Sequence, residues 1–416
     1  MSITFEPFSL DWRDDPYTIF RQLREHDPVH WAPDAKTFCI SRYADVLHVL
    51  KTEDVFSSSA MGTELMETGF GEIKLRHLPS IARFLWRARI NPLNPAPPDA
   101  MISLDPPRHH RLRSIVNRGF TPRRIENWEP RIHAIVKECL ARVEDKDSFD
   151  VVRELAVPLP TQIIAEMLGM GVDRLDDFKR WTNTILSLSS GSAKENPVDS
   201  GAFDDLGDMY AAMRELARDR RKNPGDDLVS AIVDPANGEV LEEFEIINFV
   251  MLILAAGNET TTNLIGNATN ALLSHPEELA KVVADPSLIP GMLEEVLRFD
   301  PPVQLLYRRA TQDTELSGTK IPAGSIVVPI MASANRDEEQ FEDPDRFDIM
   351  RNTKGHLSFG FGVHFCLGAS LARLEAKAAL EALVPLLPRF RRASSHDDWV
   401  DSSLVRGRMS MELVAI

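Results

Sequence analysis

The chain has three cysteines, Cys39, Cys139 and Cys366, and only the last has neighbours suited to chemistry. It lies in Phe359-Gly360-Phe361-Gly362-Val363-His364-Phe365-Cys366-Leu367-Gly368, just ahead of an apolar-periodic stretch that predicts a helix over 366–387. Gly360, Gly362 and Gly368 leave room for something bulky to approach and allow backbone angles closed to other residues. A cysteine opening a helix meets free N–H groups and the positive end of the helix dipole, which stabilise a thiolate. Such a thiolate beneath a haem iron favours O–O cleavage. A buried structural cysteine would account for a lone thiol, but not for three glycines, an aromatic and a basic residue at this spacing. The segment is also not a dinucleotide fingerprint, since Phe365 stands where the third glycine is needed.

A second constellation is Ala255-Ala256-Gly257-Asn258-Glu259-Thr260-Thr261-Thr262, inside a long apolar helix predicted over 243–274. Gly257 costs such a helix about 1 kcal/mol relative to alanine. Buried polar groups are expensive without partners, so a polar spot in a buried helix needs a reason. A third is Glu295-Val296-Leu297-Arg298, whose i and i+3 charges share a helix face. A fourth is Asp105-Pro106-Pro107-Arg108-His109-His110-Arg111-Leu112-Arg113.

The elements that must position these residues are mainly helical. Apolar spacing of three and four also predicts helices over 128–143, 161–170, 204–221, 277–284 and 288–298. Short strands are expected at 29–31, 37–40, 314–316 and 325–329, with another at 409–414. The fold class is therefore mainly α with a small β region. Residues 60–100 and 187–201 break the pattern and read as long mobile loops, either lids or plain surface insertions. No linker or repeat divides the chain, which predicts one large domain over 1–416.

The net charge of −16 argues against a nucleic-acid binder. The odd, widely spaced cysteines fit a reducing cytoplasm better than a disulfide framework. The longest uncharged apolar run, 249–256, is too short for a membrane span, so a cytoplasmic, membrane-free protein is expected.

Taken together, Phe359, Gly362, Cys366 and Gly368 match the haem loop Phe-x-x-Gly-x-x-x-Cys-x-Gly, and the chain resembles the soluble bacterial cytochrome P450 family over nearly its whole length. The resemblance implies the P450 fold, haem b as cofactor and Cys366 as axial iron ligand. It implies Glu259 in a proton-delivery path and Thr260 holding dioxygen through its hydroxyl. Glu295, Arg298 and Arg346 would form a structural charge network, in the order of the helix and of Pro344-Asp345-Arg346-Phe347. His109, Arg113, Arg308 and His364 would hold the propionates, with Phe359, Gly360 and Gly368 shaping the cofactor cradle. Arg108 and His110 depart from the family pattern, where an acid and a small hydroxyl residue are more usual.

The implied reaction inserts one atom of O₂ into a hydrophobic organic substrate, by hydroxylation or epoxidation. Fatty acids, terpenoids, steroids, macrolactones and drug-like aromatics all remain open. The pocket would be lined by the 60–100 loop, Leu252, Ala256, Val303, Gln304, Leu305, Leu404 and Val405, with adaptable methionines such as Met61, Met66 and Met101. With no flavin or nicotinamide fingerprint, electrons are expected from a ferredoxin and its reductase. Six arginines between Arg108 and Arg124 suggest where an acidic ferredoxin docks, on the Cys366 side of a monomer. A peroxide-driven haem-thiolate enzyme would not need Glu259 and Thr260, and a haem-based sensor would need an appended signalling segment.

Overall fold

Apolar periodicity organises the chain much as expected. The computed structural model describes residues 3–61, 75–89, 100–171, 174–189 and 201–416. Helices run over Glu129–Leu140, Pro158–Met167, Ala202–Lys222, Glu243–Ser274, Pro276–Ala284, Ile289–Phe299 and Ala369–Leu383. Each overlaps a predicted segment, with ends shifted by up to a few residues. Proline at the first turns of Glu129–Leu140, Pro276–Ala284 and Ile289–Phe299 sets these starts, because it lacks only a donor the first turn cannot use.

The described residues fall into two compact units, interleaved along the chain. One comprises Met1–Ser57, Ile125–Pro160 and Glu259–Ile416. It carries a five-stranded sheet in which Val29–Ala32, Thr37–Ile40, Ile326–Pro329, Arg308–Ala310 and Phe56–Ser57 are neighbours in that order. All its pairs are antiparallel except Thr37–Ile40 with Ile326–Pro329. Val46, Val49, Leu50, Phe56, Val327 and Leu357 are among the buried residues packed on this sheet. The expected C-terminal strand is two strands, Arg408–Ser410 and Glu412–Ala415, which pair into different sheets. Met411 makes the break: its N–H donates to Asp150 Oδ1 and its carbonyl accepts from Val151 N–H.

The other unit comprises Ser58–Arg124 and Thr161–Asn258 and is helical among its described residues. Part of the expected 60–100 loop is regular here, since Leu78–Ala88 is a helix. Its Phe84 ring meets Phe203 and Tyr210 of Ala202–Lys222, a tertiary contact that periodicity over so short a run does not announce. Residues 62–74, 90–99 and 190–200, with Met66 among them, lie outside the described residues. Among the described residues no helix is long and apolar enough to cross a membrane.

Candidate functional site

The cysteine loop is built by close backbone approach. Gly360 and Gly362 both have φ of +70°, the left-handed region that favours glycine. A Cβ on Gly362 would stand 3.1 Å from the Leu50 carbonyl, so another part of the chain presses against the loop here. Cys366 donates its N–H to the Phe359 carbonyl at 2.9 Å, closing the loop upon itself. The helix begins at Ala369 with Gly368 as its cap, so Cys366 sits just ahead of the first turn and not inside it. Nothing stands within 4 Å of where a Cβ on Gly368 would be.

The loop's foundations are polar and fully used. Asn335 accepts the Leu357 N–H and donates to Ser358 Oγ, which in turn donates to the Leu297 carbonyl. Arg373, one turn into the following helix, stacks over the Phe359 ring at 4.3 Å and makes two bonds to Glu294. Burial works against the charge on Glu294, but the Arg373 and His356 hydrogen bonds outweigh it and hold the carboxyl down at about 2.

The three thiols now separate physically. Burial pushes Cys39 up to about 12 and also raises Cys139, so both are inert at neutral pH. Cys366 is only half-buried.

In the long helix Glu243–Ser274 the polar spot resolves residue by residue. Asn258 accepts from the Thr161 hydroxyl, and Thr262 donates to the Ala156 carbonyl, so these two serve packing. The position of Gly257 lets Ile164 approach, since a Cβ there would meet its Cδ1 at 2.7 Å. Glu259 has no cation holding it, and burial pushes its carboxyl up to about 7. Thr260 beside it is half-buried.

These features match known proteins throughout. The family model for cytochrome P450 matches residues 200–402. Cytochrome P450 107B1 of Saccharopolyspora erythraea is 43% identical over 311 residues, covering 74% of this chain and 75% of the relative. A vitamin D(3) 25-hydroxylase of Pseudonocardia autotrophica is 37% identical, covering 97% of this chain and 94% of its own. The crystal structure of CYP109E1 from Bacillus megaterium in complex with corticosterone superposes with a TM-score of 0.83 at 32% identity, covering 97% and 99% of the two chains.

The chain belongs to the cytochrome P450 family.

It is a P450 monooxygenase with haem b as cofactor and the P450 fold, acting with O₂ on a small molecule. The residues present fit that cofactor. Cys366 is accessible where its two fellow thiols are not, and the space beside Gly368 leaves the loop open to a flat group.

The candidate propionate residues divide between the units. Arg308 and His364 belong with Cys366, Glu259 and Thr260; His109 and Arg113 belong with Leu252 and Ala256. Arg308 is buried on its strand and donates to the Tyr307 carbonyl. His109 and Arg113 stand one turn apart on Arg108–Val116. Burial, then the Arg113 and His110 charges, push His109 down to about 4, so at neutral pH it offers an N–H and not a cation.

The charge network needs one correction. Glu295 and Arg298 are fully buried and joined by two bonds of 2.7 and 2.8 Å. The further arginine on Glu295 is Arg351, at 3.3 Å, and not Arg346. Arg346 contributes its backbone carbonyl to Arg298, while its side chain is 62% exposed. The Pro-Asp-Arg-Phe meander shapes the network through its carbonyls, which sequence order does not distinguish from side-chain pairing.

Of the expected pocket residues, Gln304 and Leu305 are wholly buried, and the Gln304 amide is tied to the Pro301 carbonyl. Val303 forms a bridge with Val405, and Leu404 accepts the Gln304 N–H, so the two apolar segments do meet. Leu252 is half-buried and Ala256 is exposed midway along the long helix. Met61 and Met101 are buried.

One acid escaped the sequence reading. Glu375 is 1% exposed on Ala369–Leu383, and burial pushes it up to about 8 against the pull of a hydrogen bond to Thr261. The signal was available: Glu375 follows buried Leu371 by four residues and precedes buried Ala379 by four, placing an acid on the apolar stripe.

Proposed function

We propose that this P450 hydroxylates a rigid, steroid-sized hydrophobic substrate, with Cys366 as the axial thiolate and electrons from a separate ferredoxin. The observation that carries the reading is the contrast in Cys366: half-buried on a glycine loop braced from three sides, where Cys39 and Cys139 are sealed in the core. Haem, once bound, supplies the oxygen chemistry. The chain's own residues hold and prepare it. Arg308, Arg113, His109 and His364 would meet the propionates, two through charge and two through ring N–H groups. Glu259, with its carboxyl near neutrality, holds a proton that it can give up and regain at working pH. Thr260 offers the hydroxyl beside it.

The substrate size is supported by the vitamin D(3) hydroxylase relative and by the corticosterone-bound neighbour. Apolar Val303, Leu404 and Val405 are suited to such a surface.

The ferredoxin reading is sharpened by the arginine segment. Arg111 is bound to Glu239 and Glu245, and Arg118 donates to the Glu239 carbonyl, so neither presents a free charge. Arg123 is exposed and has no acidic partner among the described residues, which makes it the best docking charge. A cytoplasmic monomer suits such an arrangement.

The test is spectroscopic. Reduced protein with CO should show the strongly red-shifted Soret band of thiolate ligation, and Cys366→Ala should abolish it. Corticosterone and vitamin D3 should shift the ferric spin state, and a straight-chain fatty acid should do so less. Absence of the thiolate band overturns the ligand assignment; a fatty-acid response exceeding both overturns the substrate class. Arg123→Glu should slow first-electron transfer from an acidic ferredoxin and weaken its salt dependence; an unchanged rate removes the docking site.

A further inference from the structure

Below Glu259 the long helix carries asparagines at 263, 267 and 270, spaced four, four and three residues apart. That spacing keeps all four polar side chains on one face, with successive members about 6 Å apart. Asn263 is 1% exposed, and both its amide nitrogen and its amide oxygen lack a hydrogen-bond partner among the described residues. A Cβ on Gly407 would lie 1.9 Å from Asn263 Oδ1, so the backbone at 407 is brought right against this amide. Leaving two buried polar atoms unpaired is costly, and a leucine would avoid the cost entirely.

The next amides are engaged, and they lead outwards. Asn267 donates to the Asp300 and Arg406 carbonyls and accepts from Arg408 at 3.4 Å. Arg408 makes two bonds to Asp397, at 2.6 and 2.9 Å. Arg392 joins Asp397 to Asn270, completing a cluster whose Asp397 side chain is 17% exposed. A continuous polar file therefore runs from Glu259 to a partly solvated acid through an otherwise apolar helix core.

We infer that Asn263 seats a buried water and that this file conducts protons from solvent near Asp397 to Glu259. A gap of one helical turn matches two hydrogen bonds through a single water. The balance is simple. Each proton that Glu259 gives up is replaced from the water at Asn263, which takes one from the water beyond it, and so on to solvent. The amides and guanidinium groups orient the waters and keep their own protons. The proposal rests on Glu259 as the proton donor, so its test keeps the two apart.

Asn263 is a positioning residue, and the decisive variant of the haem-loaded protein is Asn263→Leu. A high-resolution crystal structure of the wild type should show a water bonded to the Asn263 amide, absent in N263L. Turnover under saturating substrate should fall about tenfold, the equivalent of one lost hydrogen bond. More of the consumed reductant should appear as hydrogen peroxide, while substrate affinity from the spin-state shift stays constant. Asn263→Ser, which leaves room for a second water, should restore most of the rate, and it decides the matter if N263L fails to fold. Should Glu259→Gln itself leave turnover and peroxide release unaltered, the donor assignment falls and the file with it. Should Glu259→Gln impair both while N263L and N263S match the wild type, or should no water sit at Asn263, the file alone is overturned.

Discussion

Glu295 and Glu375 are both almost completely buried in the same unit, yet the protein treats them in opposite ways. Around Glu295 every acceptor position is used: Arg298 grips it with two bonds, Arg351 adds another and the Asp348 N–H a fourth. Around Glu375 there is one hydrogen bond, to Thr261, and Oε1 has no partner among the described residues. Glu259 belongs with Glu375, since burial raises it and no cation holds it. Burial alone thus says little about what an acid is for. A charge surrounded by donors is scaffold; an acid left near neutrality is able to carry a proton.

The largest effect expected from this contrast is on the scaffold side. Arg298→Ala would leave Glu295 charged and unpaired in the core, costing about 3–5 kcal/mol in denaturant unfolding. Replacing both by leucine should cost clearly less, and equal losses would break the distinction. Glu259→Gln should leave the thermal midpoint nearly unmoved while turnover falls by about 10²–10⁴. A large loss of stability without loss of turnover would move Glu259 into the scaffold class.

Glu375 gives a pH signature. Its carboxyl is raised from 4.5 to about 8, so the folded protein holds a proton that the unfolded chain releases near 4.5. The stability it contributes is full below the unfolded value and is lost as pH rises through the folded one. The thermal midpoint should therefore decline between pH 5 and 8, and Glu375→Gln should flatten that decline. An unchanged slope would mean Glu375 is ionised in the fold. The smallest effect concerns the arginines. Arg346→Ala should shift stability by less than about 0.5 kcal/mol, and Arg351→Ala by more, because only Arg351 touches Glu295.

Much of the site was legible because it is local. The cysteine loop occupies ten consecutive residues, and its glycines are demanded by the loop's own φ angles and one close approach. Glu295 and Arg298 are one helical turn apart, so spacing alone predicted their pairing. Arg351 is 56 residues from Glu295, and its choice over Arg346 depends on how the meander folds back. The helix Leu78–Ala88 was hidden for a similar reason, since its aromatic partners lie more than 100 residues onward.

From composition and order alone, the chain is bound to be a mainly helical P450 with one thiol placed for a metal and one acid–alcohol pair in a long apolar helix. Those features live in contiguous runs, where steric rules and helical periodicity act on near neighbours. Tertiary structure decided which acids keep their protons, which arginine pairs with Glu295, and that Asn263 faces Gly407 with both polar atoms unmet. These are outcomes of desolvation and pairing between segments, and the energy of a buried charge depends on groups that only folding brings near it.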